Sequence, residues 1–327
     1  MVDRDSVDDL VARARSGDHR AVARLISLVE NASPRLREVT QALMPHAGTA
    51  AIVGITGSPG VGKSTSTSAM VTVYREAGKR VGVLAIDPSS PFSGGALLGD
   101  RIRMQQHATD PEVYIRSMAS RGHLGGLAWA TPQAVRVLDA AGCDVVLVET
   151  VGVGQAEVDI ASLADSTVVL LAPGMGDGIQ AAKAGILEIA DLLVVNKADR
   201  DGANATVRDL RAMLALGQRQ PGAWRPPVLT TIASRGEGVA EVVSEVNRHR
   251  DWMLSTGDLD RRRLARASAE IEALAVRAVR GQLDGVRGES ALPRLAQNVL
   301  AGRSDPYRAA DELLAALTAG EGAPSEA

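Results

Sequence analysis

The sequence predicts an α/β fold, a doubly wound and mostly parallel sheet carrying helical extensions at both ends. Three observations predict it. Between residues of about 50 and 255, short β-branched runs alternate with helix-period stretches. Those runs are apolar at nearly every position, as strands covered on both faces should be. Only 2% of the 327 residues are aromatic, so the core must be built from Ala, Val, Leu and Ile.

Residues 1–47 read as an N-terminal helical extension. Val22, Leu25, Ile26 and Val29 fall at helical spacing, with Ser16 and Asp18 as expected N-caps. Residues 48–256 form the expected α/β domain. Its strands are expected at 51–56, 81–86, 113–118, 144–149, 167–172, 192–195 and 228–232. Residues 257–327 turn helical again. Leu264, Ala267, Ile271, Leu274 and Ala278 are spaced by three and four, a seam suited to another helix. Gly281 and Pro293 are expected to punctuate this region.

Directly after the first expected strand stands Gly57-Ser58-Pro59-Gly60-Val61-Gly62-Lys63-Ser64-Thr65. This fits the P-loop pattern. Its glycines let successive backbone N–H groups converge on phosphate oxygens, and the following helix presents its positive end. Lys63 adds a charge that reaches the β- and γ-phosphates. Ser64 offers a hydroxyl to the Mg²⁺ that bridges them.

The motif Asn196-Lys197-Ala198-Asp199 closes a later strand. A carboxylate only accepts hydrogen bonds, so Asp199 matches the two adjacent donors of guanine, N1–H and N2–H₂. Adenine has an acceptor at N1 and no amino group at C2, and would leave the carboxylate unpaired. Asn196 is expected to brace neighbouring loops, and the Lys197 stem to cover the ring face. A second base loop is expected at Thr231-Ile232-Ala233-Ser234, where a backbone N–H could meet the guanine O6.

Three acidic residues sit where loops leave strands: Asp87, Asp100 and Glu149. Mg²⁺ keeps several waters and takes few carboxylates, so not all three can ligate it directly beside Ser64 and the phosphates. Glu149 is the first choice for the Walker-B role, either on the cation or one step removed from it. The N–H of Gly152 would sense the γ-phosphate. Each of the acids could instead cap the helix that follows it.

Composition excludes several classes. The net charge of -3 gives no basic balance for nucleic acid, and the Arg261-Arg262-Arg263 run reads as a solvated helix start. Cys143 is the sole cysteine and the five histidines form no ligand-spaced pair. No apolar run is long enough to span a membrane, and the N-terminus does not read as a signal, so the cytoplasm is the expected compartment.

The motifs together go beyond a generic nucleotide hydrolase. Residues 54–63, Asp87-Pro88-Ser89-Ser90-Pro91-Phe92-Ser93-Gly94-Gly95, Gly99-Asp100-Arg101-Ile102-Arg103-Met104, Ser120-Arg121-Gly122-His123-Leu124-Gly125-Gly126, Glu149-Thr150-Val151-Gly152-Val153-Gly154-Gln155 and the Asn196 motif resemble the MeaB/ArgK family. These are GTPase chaperones of methylmalonyl-CoA mutase, and the likeness runs from about residue 5 to 318. The resemblance implies hydrolysis of GTP to GDP and phosphate, with Lys63 and Glu149 in the catalytic set. It implies a magnesium environment of Ser64, Asp87, Asp100 and Glu149, and guanine reading by Asn196, Lys197 and Asp199 with Ala233 in the last base loop. It further implies a homodimer through the C-terminal helices. A third switch over Gly174–Lys183, including Gln180 and Lys183, would answer to the mutase that the protein protects, loads with cobalamin and reactivates.

Three other readings stand beside this one. A metal-insertion GTPase of the same class would need a Cys or His cluster to hold its ion. A P-loop kinase or ATPase is disfavoured by Asp199. A GTP sensor without turnover is the third, since positioning for phosphoryl transfer can come from a partner.

Overall fold

A computed structural model describes residues 6–87, 104–119, 130–150, 156–174, 187–216, 222–286 and 291–320. Seven strands, β1 Ala51–Thr56, β2 Val81–Asp87, β3 Val113–Ala119, β4 Val145–Thr150, β5 Ser166–Leu171, β6 Leu192–Asn196 and β7 Val228–Thr231, form one sheet. Its order is β3-β2-β4-β1-β5-β6-β7, and every neighbouring pair is parallel. The chain leaves the central strand β1 toward one edge, returns beside it as β4, and crosses to the other side as β5. That reversal opens a crevice at the carboxyl ends of β1 and β4, where ligands bind in such sheets.

The helices follow in chain order. α1 Val7–Arg15, α2 His19–Glu30 and α3 Leu36–Leu43 precede the sheet. α4 Lys63–Glu76, α5 Thr131–Ala140, α6 Ala156–Leu163, α7 Ala203–Leu216 and α8 Val239–Thr256 alternate with its strands. α9 Asp258–Val286, α10 Ala291–Leu300 and α11 Pro306–Gly320 follow them. Strand side chains alternate between two dry layers. Val145 and Leu147 face the cluster that holds Met70 and Val71 of α4. Val146 and Val148 face the one that holds Leu25, Val39 and Leu138. Period-2 alternation with both faces apolar explains why the strands read as unbroken hydrophobic runs. The N-terminal helices therefore share a core with the sheet.

Local signals explain the ends of these helices. Asp18 is the N-cap of α2, its carboxylate accepting from the backbone of Arg20 and Ala21 at 2.8 and 3.3 Å. Ser16 closes α1 and does not open a helix; Ser6 is the N-cap there. Gly281 lies within α9, with no break. Pro293 falls in the first turn of α10, where its missing N–H has no intrahelical acceptor. Two compact units divide the chain, Met1–Arg262 and Arg263–Ala327. In the second, Arg294 and Glu312 pair at 2.9 Å between α10 and α11, and Asp305 caps α11.

At the end of the sheet away from the crevice, an unforeseen polar network ties β5, β6, α8 and the first turns of α9. Asp191 accepts two hydrogen bonds from the Arg262 guanidinium, at 3.0 and 2.9 Å, and one from the Thr167 N–H at 2.8 Å. Arg262 also reaches Asp258 at 3.0 Å and the Asp165 carbonyl at 3.1 Å. It is a fixed clamp, unlike the solvated residue expected in the Arg261–Arg263 run. His249 is fully buried beside it, with Nδ1 2.7 Å from the Ser166 hydroxyl and Trp224 and Trp252 against its ring. Burial holds the His249 pKa below its ordinary value. Asp191 at 3.4 Å opposes that shift, but its oxygens are committed to Arg262 and Thr167, and Arg262 itself repels a second positive charge. Cys143 is buried too, its thiol pushed up to about 12 by desolvation, an inert group.

His249 makes stability depend on pH. A histidine whose pKa is lower in the fold than in the open chain binds its proton more readily when unfolded. Stability is therefore held above the ordinary pKa of 6.5 and lost as pH falls below it. Denaturant midpoints measured from pH 7.5 down to 5.5 should decline, and decline less in His249→Asn. An equal slope in that variant would assign the loss to another group.

Candidate functional site

Every described site candidate lies at the carboxyl ends of the strands. β1 ends at Thr56 and the chain turns at Gly57, whose φ is +136°; a Cβ there would stand 2.2 Å from the Leu170 carbonyl oxygen. Only glycine fits so close to the next strand. The loop then passes Ser58, Pro59, Gly60 and Val61, and Gly62 opens α4 with φ +98°. No side chain caps this helix, so its leading N–H groups face the loop with the positive end of the helix behind them. Thr65, the last residue of the motif, is exposed.

Lys63 begins α4 and is nearly buried, with its ammonium donating to the carbonyls of Gly57 at 2.7 Å and Ser58 at 3.1 Å. The charge is thus held by the loop it belongs to, within the cradle a triphosphate would fill. One residue on, Ser64 Oγ donates to Glu149 Oε1 at 2.6 Å. Glu149 comes from β4, paired in register with Ile55 of β1, and only 3% of it is exposed. Its other oxygen, Oε2, lies 2.9 Å from the hydroxyl of Thr67. A carboxylate this deeply buried persists only with such partners. Thr150 follows, its hydroxyl donating to Thr56 at 2.9 Å and closing β4 onto β1.

Asn196, at the end of β6, joins three loops. Its Nδ2 donates to the Val61 carbonyl at 2.8 Å, and its Oδ1 accepts from the Thr231 hydroxyl at 3.1 Å and the Ala233 N–H at 3.0 Å. A Cβ on Gly62 would sit 2.4 Å from that Nδ2, so the glycine of the phosphate loop is also required by the base loop. Within the expected base loop at residues 231–234, the Ala233 N–H is held by Asn196 and shapes the loop. Lys197 takes a left-handed backbone, φ 57°, and its ammonium reaches the Gly60 carbonyl at 2.5 Å. Its stem therefore crosses from the base loop to the phosphate loop. Asp199 is exposed, and no described residue hydrogen-bonds its carboxylate.

Asp87 ends β2, one residue beyond the pairing of Ile86 with Thr150, so its backbone adjoins the Glu149 strand end. Asp100, Gly152, Gln180 and Lys183 lie outside the described residues. Among the described residues no three His, Cys, Asp or Glu side chains gather as a metal cluster. The donors that do converge are a hydroxyl and a carboxylate. Such hard oxygens suit Mg²⁺, which takes the rest of its shell from water and phosphate. Thr67 is the residue sequence reasoning passed over. The available signal was its place three residues after Ser64, on the same helix face.

Comparison with known proteins bears on this geometry. Residues 22–285 match a family model described as Methylmalonyl Co-A mutase-associated GTPase MeaB. The chain belongs to the MeaB family. It is therefore a P-loop GTPase, an enzyme of a guanine-nucleotide-binding family. GTPase ArgK of Escherichia coli K12 is 36% identical over 266 residues, covering 79% of this chain and 80% of its own. The mouse methylmalonic aciduria type A homolog, mitochondrial, is 35% identical over 333 residues, covering 95% of this chain and 79% of its own. A solved LAO/AO transport system kinase superposes with a TM-score of 0.72 at 26% identity, covering 97% of this chain and 99% of that one. The seven-stranded parallel sheet and its crevice are thus those of a MeaB-family GTPase. No described helix is long and apolar enough to cross a membrane.

The side-chain contacts predict distinct defects. Asn196→Ala removes one amide that serves three loops, and should weaken both GTP and GDP binding by about 10²-fold, the scale of several lost buried hydrogen bonds. If the Lys63 ammonium reaches the γ- as well as the β-phosphate, as the P-loop pattern predicts, Lys63→Ala should weaken GTP more than GDP. Calorimetry with both nucleotides checks the pair; equal losses for GTP and GDP in Lys63→Ala would contradict the assigned reach.

Proposed function

We propose that this GTPase acts as a GTP-gated chaperone of an adenosylcobalamin-dependent methylmalonyl-CoA mutase, protecting it, gating its cofactor loading and reactivating it. The family description carries the mutase association, and the mouse relative's name points to the same metabolism. The observation that carries the nucleotide reading is the Asn196 amide, which ties the phosphate loop to both base loops.

In this reading the triphosphate draws Lys63 away from the Gly57 and Ser58 carbonyls, and the ammonium then pairs with the β- and γ-oxygens. The N–H groups that open α4 and the residues Gly57 to Thr65 cradle the rest. Asp199 accepts from guanine N1–H and N2–H₂, the Lys197 stem lies on the ring, and Asn196 with Ala233 fixes the loop around it. Ser64, Glu149, Asp87 and Asp100 would hold Mg²⁺, directly or through water. When bound, the cation supplies charge neutralisation across the phosphates. Glu149 keeps its carboxylate aimed at that position, and the Gly152 N–H answers to the γ-phosphate.

The partner enters through what the site lacks. Gly152 is followed by Val153, and no glutamine occurs before Gln155 to orient water as a neighbour of the sensing residue. Slow hydrolysis in isolation and acceleration by the mutase follow. Gln180 and Lys183, in the segment opened by Gly174, would transmit the effect. We also propose a homodimer through residues 257–327. Leu264 and Ile271 on α9 are 70% and 68% exposed, an apolar seam that a second copy could cover.

Two measurements test this reading. Asp199→Asn replaces an acceptor with a group that also donates, and should lower GTP affinity at least 10²-fold while improving xanthosine triphosphate binding. A wild type that bound ATP as well as GTP would refute the base reading. GTP hydrolysis should rise by orders of magnitude when the mutase is added, and the gain should shrink in the double variant Gln180→Ala with Lys183→Ala. No stimulation of wild type would remove the mutase as partner; full stimulation of the double variant would remove only the switch.

A further inference from the structure

The P-loop pattern asks for hydroxyls at Ser64 or its equivalent, and asks for nothing at the third residue beyond it. This chain places Thr67 there, with 0% of it exposed. Positions three apart share a helix face, so Ser64 and Thr67 both look from α4 toward the end of β4. The Glu149 carboxylate spans them, Oε1 to Ser64 at 2.6 Å and Oε2 to Thr67 at 2.9 Å. Burial alone does not dictate such pairing. Ser66, between the two and also buried, has no hydrogen-bond partner for its hydroxyl among the described residues.

Thr67 has one hydroxyl proton and two acceptors within reach. The second is the Lys63 carbonyl at 3.0 Å, the local bond that a helical threonine ordinarily makes. A hydroxyl can donate to only one of them at a time. The carboxylate is charged and the bond to it is the stronger, about twice a neutral one. With only 3% of Glu149 exposed, little water can replace that donor. Threonine is also stiff at χ1, so the hydroxyl stays where the methyl packing sets it.

We propose that Thr67 is a positioning residue for Glu149. On the reading of Ser64 and Glu149 as the magnesium environment, on which this proposal rests, nucleotide binding turns the Ser64 hydroxyl toward the cation. Its bond to Oε1 is then given up. Nothing makes the same demand of Thr67, so its hydroxyl keeps Oε2 and holds the carboxylate aimed at the cation. Thr67 touches neither nucleotide nor metal, and its effect appears in how much magnesium the protein needs to retain GTP.

The test uses the full chain and a fluorescent GTP analogue, with its release rate followed across a Mg²⁺ titration. Thr67→Val keeps the shape and removes the hydroxyl. It should raise the Mg²⁺ concentration for half-maximal retention about tenfold, the scale of one charge-assisted bond. GDP affinity measured in chelator should stay near wild type, and each titration is run well below that variant's own, lowered thermal midpoint, which separates this effect from misfolding. Thr67→Ser, which restores the hydroxyl, should recover most of the Mg²⁺ dependence. A Thr67→Val protein with wild-type Mg²⁺ dependence would overturn the proposal, as would a Thr67→Ser protein as impaired as Thr67→Val. If Glu149→Gln shifts the Mg²⁺ titration while Thr67→Val does not, the site reading stands and only the role of Thr67 fails. If GTP retention in wild type ignores Mg²⁺, the site reading fails and the proposal falls with it.

Discussion

One side-chain amide, that of Asn196, is the contact on which the nucleotide crevice depends. Its donor end is spent on Val61 in the phosphate loop and its acceptor end on Thr231 and Ala233 in the last base loop. An amide buried to 3% exposure cannot leave such groups unmet without cost. The three loops therefore hold one another, although they leave strands β1, β6 and β7 that lie at different depths of the sheet. Gly62 belongs to the same constraint, because any Cβ there would displace the amide. The P-loop and the loops that follow β6 and β7 are in this sense one structure.

A second constraint runs from helix to sheet. Glu149 is a buried carboxylate on β4 whose oxygens are met by two hydroxyls of α4. The strand end and the helix start are locked together where a cation and the γ-phosphate would sit. Lys63 is likewise folded onto its own loop by two carbonyls. Both charged groups are met by neutral hydrogen-bonding groups of the fold, which limits the cost of burying them. On the proposed reading, nucleotide binding would exchange these partners.

The opposite end of the sheet is organised by another polar group, Asp191, which begins the run into β6 and holds Arg262 in two hydrogen bonds. His249 lies beside it, and Trp224 and Trp252 pack against the His249 ring in a chain that is otherwise poor in aromatics. A strand of five residues thus carries Asn196 and its loop contacts at one end and leaves this network at the other. The same buried carboxylate that fixes Arg262 is too heavily committed to offset the burial that lowers the His249 pKa.

The sequence by itself determined the strand runs, the parallel sheet, the P-loop and the base motif, because each follows from local pattern. Apolar runs at strand length, glycine where φ must be positive and an acidic residue after Asn196 are legible within a few positions. Tertiary structure alone decided which of these residues meet. Asn196 contacts Val61, 135 positions away, and Thr67 meets Glu149 across 82. Arg262 leaves the solvated run its neighbours suggested because Asp191 lies 71 positions upstream. The Ala233 N–H turns to Asn196 for the same reason. Hydrogen bonds between distant strands and helices depend on which loop ends the fold brings together, and spacing along the chain carries no record of that distance.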